Sequence, residues 1–99
     1  MTSVNENAFY KILQTEKSFM ANFSAYWCAD CIKNDAVLED FSKQYPDVKI
    51  YRIDVEENTD IANRFGVINV PSVLFFENSK IKSKAEGMLS IEDISELIS

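Results

Sequence analysis

Two features of the sequence predict an α/β fold with one mixed sheet covered by helices on both faces. Apolar residues recur at helical spacing in four stretches, and between these lie compact runs of strand length rich in Val, Ile, Phe and Tyr. The order reads helix, strand, helix, strand, helix, strand, strand, helix. A strand-helix-strand unit demands a parallel pair, and the two strands that close the series form an antiparallel hairpin. The expectation is a single sheet of four to five strands flanked by four helices.

Each element has a local reason. Asn5 to Lys17 places Phe9, Ile12 and Leu13 on one helical face, and Phe19 to Ser24 is an apolar run bounded by polar residues. From Ala29 to about Tyr45, a stripe of Ile32, Val37, Leu38, Phe41 and Tyr45 predicts a helix that Pro46-Asp47 ends. Val48 to Val55 follows as a strand, then Asn58 to Phe65 as a short helix that Gly66 stops. Val73 to Phe76 and Ile81 to Glu86 pair around the turn Glu77-Asn78-Ser79-Lys80. Lys82 and Lys84 mark the second of them as an edge strand protected against pairing with other chains. Ser90-Ile91-Glu92-Asp93 has the pattern of a capping box, opening a helix that turns Ile91, Ile94, Leu97 and Ile98 to the core.

Ninety-nine residues suit one domain, taken as 1–99, and 46% hydrophobic residues with seven Phe, four Tyr and one Trp supply a core without disulfides or a structural metal. The net charge of -6 has the wrong sign for a phosphate backbone, so nucleic acid is not expected as a partner. No apolar run approaches a membrane span and the first residues lack a signal-peptide pattern, so no membrane contact and a cytoplasmic location are expected.

The two cysteines, Cys28 and Cys31, stand at the start of the second helix, directly after a strand. There the unpaired N–H groups and the helix dipole favour an anion on the first sulfur, and the second thiol is near enough to attack a mixed disulfide. The pair therefore predicts redox chemistry, with Cys28 the exposed nucleophile and Cys31 the more buried resolving thiol. Zinc would need about four ligands, and the chain has no His and no third Cys. No cofactor is expected, because the electrons reside on sulfur.

At Trp27-Cys28-Ala29-Asp30-Cys31 and at Phe65-Gly66-Val67-Ile68-Asn69-Val70-Pro71-Ser72 the chain resembles the thioredoxin family. The resemblance extends through Asp54 to Asn58, Phe76-Glu77-Asn78 and Gly87, and implies the thioredoxin fold. It also implies thiol-disulfide oxidoreduction of protein or small-molecule disulfides by a monomer that a thioredoxin-reductase-like donor resets. A thioredoxin-fold peptide-binding module with weak redox activity is the alternative. The resemblance further implies a cis Val70–Pro71 bond facing the cysteines, Val70 backbone groups offered to an extended substrate, and Trp27 packed beside the nucleophile. By composition alone Trp27 would equally suit the core, and Pro71 a trans bond at a strand start.

Three positions depart from the family pattern. Asn22 replaces the buried aspartate that accepts the proton of the second cysteine, and an amide cannot take that proton. On that ground no carboxylate is expected beside Cys31. Arg52 replaces a lysine; otherwise Asn22 would be a satisfied core amide and Arg52 a snorkelling surface base. Ala29-Asp30 replaces Gly-Pro, and the Asp30 carboxylate is expected to raise the cysteine pKa, with Glu86 adding to an acidic rim.

Overall fold

The computed structural model describes residues 1–99. Its elements are β1 (Thr2–Ser3), α1 (Glu6–Thr15), β2 (Ser18–Ser24), α2 (Ala29–Gln44), β3 (Ile50–Asp54), α3 (Thr59–Arg64), β4 (Ser72–Glu77), β5 (Lys80–Glu86) and α4 (Ile91–Leu97). They follow the expected order with one addition. β1 was not anticipated, because two exposed residues carry no periodicity; Thr2 and Ser3 pair in parallel with Tyr51 and Arg52 of β3. The strand expected from Val48 to Val55 is shorter at both ends, and the first helix stops at Thr15 rather than Lys17.

The sheet runs β1-β3-β2-β4-β5. β2 is central, parallel to β3 on one side and antiparallel to β4 on the other. Its alternation divides the core. Phe19, Ala21 and Phe23 face α1 and α3, where they join Phe9, Leu13, Ile61, Leu74 and Phe76. Met20 faces the opposite layer, with Leu38 and Phe41 of α2 and Ile94 and Leu97 of α4. Phe9 lies at the middle of the first layer, edge-on to Phe19, Phe65 and Phe76, with centroids 5.6 to 5.9 Å away.

The ends of the elements follow their local chemistry. Asn5 caps α1 by accepting the Ala8 N–H at 2.9 Å. Ser90 and Asp93 form the anticipated capping box, each side chain accepting the other's backbone N–H. Gly66 ends α3 at φ 71°, a left-handed conformation that glycine adopts without steric cost. The β4–β5 turn places both Asn78 and Ser79 at positive φ. That turn is tied down from outside, since Asn78 N–H donates to the Lys17 carbonyl and Ser79 Oγ to the Leu13 carbonyl. β5 is the exposed edge strand, as its lysines implied.

Phe9→Ala removes a fully buried ring with four aromatic neighbours, which leaves a cavity the surrounding rings cannot fill. It is expected to cost about 3–5 kcal/mol, measured as a lower urea midpoint at unchanged slope. A loss under about 1 kcal/mol would mean that α1 is not a keystone of this layer.

Candidate active site

β2 ends at Ser24, and the chain passes through Ala25, Tyr26 and Trp27 into α2, whose N-cap residue is Cys28. The Cys28 sulfur takes the place of a capping oxygen and accepts the Cys31 N–H at 3.1 Å. Cys28 is 9% exposed and Cys31 fully buried. Cys28 is thus the more accessible thiol, yet far less open than expected, because the strand-to-helix crossing at Ala25 and partly buried Val55 and Val70 pack around the pair. Both cysteines are free thiols.

Burial pushes the Cys31 thiol up to about 11, and the neighbouring Cys28 adds to the rise; the Ala25 backbone and the Ser24 side chain act in the opposite sense. Asp30 is not among the groups acting on Cys31. It is exposed in the first turn of α2 and forms no ion pair.

The Val70–Pro71 bond is cis, and Val70 is packed against the two cysteines. Gly87, at φ 84°, donates its N–H to the Pro71 carbonyl at 2.8 Å and so joins the end of β5 to this loop. Trp27 is 71% exposed, which removes it from the core, and Tyr26, Ile68 and Met88 are also exposed. Glu86 does not make the rim acidic in the way anticipated. Its carboxylate is paired with Lys84 at 3.4 Å, and Asn69 reaches it at 3.5 Å.

The larger correction lies beneath the pair. Period-two alternation turns Met20, Asn22 and Ser24 of β2 and Ile50 and Arg52 of β3 toward α2, and Asn22 stands opposite Arg52 in the parallel register. α2 answers with Asp35, four residues after Cys31 and so on the same helical face. Asn22 Nδ2 donates to Asp35 Oδ1 at 2.7 Å, and Arg52 Nε to Asp35 Oδ2 at 3.1 Å. Ser24 Oγ lies 3.5 Å from Asp35 Oδ2 and accepts from an Arg52 terminal nitrogen at 3.3 Å.

A carboxylate is therefore present on the Cys31 side of the sheet, supplied by the helix rather than the strand. Neither simpler expectation for its partners holds. Asn22 is only half satisfied, since its Oδ1 is buried without a partner while its Nδ2 also approaches the Met1 sulfur at 3.4 Å. The Arg52 side chain, 11% exposed, is enclosed between Asp35 and the Tyr26 ring rather than reaching for the surface. No group of three or more His, Cys, Asp or Glu side chains is placed to hold a metal. Asp35 and Ser24 were missed in the sequence; the four-residue step from Cys31 sets Asp35 on the same helical face, but what it meets there is fixed only by the packing of α2 on the sheet.

A family model, Thioredoxin, matches residues 1–99. The chain belongs to the thioredoxin family. It is 34% identical over 79 residues to Thioredoxin-1 of Saccharomyces cerevisiae, covering 80% of this chain and 77% of the yeast protein. With the thioredoxin of Bacillus subtilis it shares 32% over 85 residues, covering 85% and 82%. Plasmodium falciparum thioredoxin superposes on it with a TM-score of 0.90 at 20% identity, over 99% of this chain and 96% of that one. The chain is a thiol-disulfide oxidoreductase with the thioredoxin fold.

Two expected outcomes come from this geometry. An unfolded thiol sheds its proton near the ordinary value of 9.0, whereas folded Cys31 keeps it to about 11. Unfolding therefore releases a proton in that window, and the reduced protein loses stability as pH rises from about 9 to 11. The oxidised protein has no thiol to titrate and should lack this component. Denaturant titrations of both forms across the window test it, with the raised Tyr51 phenol common to the two. Parallel pH profiles would mean that Cys31 is not held in a desolvated site.

Asn22→Asp would set a second carboxylate against Asp35 in a buried position, where burial and like charge both raise its folded pKa. The variant should match the parent near pH 4 and fall short of it by about 1–3 kcal/mol at pH 8, since only the unfolded chain then gives up the proton freely. An equal deficit at both pH values would show that position 22 does not meet the Asp35 charge.

Proposed function

We propose that the chain is a protein-disulfide reductase in which Cys28 attacks and Cys31 resolves. The carrying observation is the difference between the two thiols: Cys28 caps the helix with an N–H directed at its sulfur and keeps 9% of its surface exposed, and Cys31 lies fully buried one turn inward. In the first step the Cys28 thiolate attacks a substrate disulfide, forming a mixed disulfide and expelling one substrate thiolate. Cys31 then displaces the second substrate sulfur, leaving a Cys28–Cys31 disulfide. A thioredoxin-reductase-like donor returns the two electrons.

The surface around the sulfurs supports an extended polypeptide as substrate. Trp27, Tyr26, Ile68 and Met88 make an exposed apolar border, which is what a partly unfolded segment near a disulfide would cover. Beside it the Val70 backbone N–H and carbonyl are without partners in the chain, available for strand-like pairing with the substrate. In this proposal Val70, Pro71 and Gly87 shape the groove, Trp27 borders it, and Asp30, in the motif itself, faces incoming substrate. The protein works as a cytoplasmic monomer; no helix is long and apolar enough to cross a membrane.

Insulin turbidity in the presence of NADPH and a thioredoxin reductase tests the reading. The parent should reduce insulin catalytically, Cys28→Ser should abolish it, and Cys31→Ser should accumulate a covalent complex with the substrate. Limiting iodoacetamide should label Cys28 before Cys31. Activity that survives Cys28→Ser, or faster labelling of Cys31, would overturn the assignment.

A further inference from the structure

A cavity of about 290 Å³ opens beside the cysteine loop, and neither thiol lines it. Its walls include Asn5 at the start of α1, Tyr26 of the loop, Arg52 and Asp54 of β3, and Glu57 and Asn58 of the turn that follows. It adjoins the dithiol. Val55, next to Asp54, packs around the two cysteines and donates its N–H to the Ser24 carbonyl at 3.0 Å. Tyr26 is two residues before Cys28, which holds their Cα atoms within about 7.6 Å of each other. A substrate segment of a few extended residues spans that distance.

One group of the wall is incomplete. Asp54 is only 6% exposed, and its Oδ1 accepts the Glu56 and Glu57 N–H groups at 2.9 and 3.1 Å. Its Oδ2 has no donor in the chain, and a carboxylate oxygen in so enclosed a place needs one. Asn58 does not supply it, because its Nδ2 donates to the Asp54 carbonyl at 3.0 Å. Arg52 does not either: its Nε donates to Asp35 at 3.1 Å, a terminal nitrogen donates to Ser24 at 3.3 Å, and the guanidinium is stacked on the Tyr26 ring at 4.7 Å. Asp54 therefore offers the cavity an oxygen that a ligand can complete.

The charges around it say which ligand. Glu57 is exposed in the wall and forms no ion pair, and Glu56 and Asp60 on either side of it are likewise exposed and unpaired. The N-cap residues of α1 and α3 both line the cavity, but each helix start carries its own acid against the dipole, Glu6 and Asp60. Arg52 is the one base in the wall, and its charge is matched by Asp35. An anion entering here would meet two carboxylates. A metal ion would find too few oxygens in one shell and a guanidinium beside them. A basic side chain fits both demands: its charged head meets Asp54 Oδ2 and Glu57, and its apolar stem lies on Tyr26, which is 69% exposed.

We infer that this cavity is a substrate subsite for an arginine or lysine side chain, recognised by Asp54 and Glu57 while Cys28 attacks the disulfide a few residues away. The inference rests on the disulfide-reductase reading above and adds the class of segment that the enzyme prefers. The apolar border at Trp27 accepts many sequences, whereas a half-buried pair of acids accepts one charge. Asp54 is fixed in place by the two N–H groups on its Oδ1, so the free oxygen is held ready before substrate arrives. Glu57, exposed and unpaired, closes on the bound cation from the solvent side.

Synthetic peptides with an internal disulfide test the subsite. One neutral sequence carries a single arginine at successive positions outside either cysteine, and each peptide has a citrulline counterpart of the same shape without the charge. The full reduced chain is mixed with each in single turnover at low salt, and the dithiol peptide is followed by chromatography. At the best position the arginine peptide should react roughly five- to thirtyfold faster than its counterpart, and the ratio should shrink at high salt. Glu57→Gln should bring the ratio to within about threefold through a slower arginine reaction, and Glu57→Lys should take it to unity or below. Asp54→Asn, which keeps an oxygen for the two N–H groups, should act like Glu57→Gln. Glu96→Gln removes the same unit of charge from an exposed position on α4 and should keep the parental ratio. Equal rates for arginine and citrulline at every position, a parental ratio in Glu57→Lys, or an equal loss in Glu96→Gln would overturn the subsite and leave the reductase standing. If the parent reduces no peptide of either series, the reductase reading fails, and the subsite with it.

Discussion

β2 is hydrogen-bonded to β3 on one side and to β4 on the other, so its residues can do nothing but alternate between the two faces of the sheet. That constraint governs the rest of the molecule. One face receives Phe19, Ala21 and Phe23 and becomes the larger apolar layer under α1 and α3. The other receives Met20, Asn22 and Ser24 in sequence, passing from oily to polar along a single strand. α2 must cover that face, and it does so with the same gradient reversed in chain direction: Phe41 and Leu38 meet Met20, and Asp35 meets Asn22 and Ser24. The active end of the protein is the polar end of one helix–strand contact.

Helix packing on the sheet then sets the chemistry of the cysteines. α2 is anchored by its buried half and by Asn34, whose Oδ1 accepts the Leu89 N–H at 3.0 Å and ties the helix to the start of α4. Its first turn is consequently held at a fixed height over the end of β2. Cys28 lies at the rim of this arrangement and Cys31 inside it, and the difference in burial, from 9% to none, is produced by one helical turn. A helix free to slide along the sheet would blur that distinction and with it the division of labour between the thiols.

Most of the architecture was legible in the sequence because periodicity reports which face is buried. The central strand, the long helix, the hairpin and the capping box at Ser90 all carry that signal. β1 was not legible, since two exposed residues paired through backbone alone leave no pattern to read. The cysteine pair was legible because two cysteines three residues apart at a helix start are a chemical signal, and Pro71 because the motif around it resembles that of the thioredoxin family. Asp35 was not, because a single acid on a helix with several others, among them Asp30, Glu39 and Asp40, is distinguished only by what it meets across the interface. Seeing it requires the register of β2 against β3 and the rotation of α2 about its axis, both of which are tertiary facts.

The exchange at position 22 also has an energetic logic. A carboxylate there would be fully buried, and its ionised form would need close pairing to offset several kcal/mol of desolvation. On α2, Asp35 keeps 23% of its side chain exposed and meets Arg52 directly. The charge is thereby partly solvated and still close to Ser24. What the strand gives up is a smaller sum: the unpartnered Asn22 Oδ1 costs about 1–3 kcal/mol. That amide also makes the arrangement possible, because only a donor at position 22 can hold Asp35 Oδ1 at 2.7 Å. A neutral donor on the strand and an acid on the helix together place the charge on α2, matched by Arg52 at 3.1 Å, and leave it nearer to water than a strand acid would be.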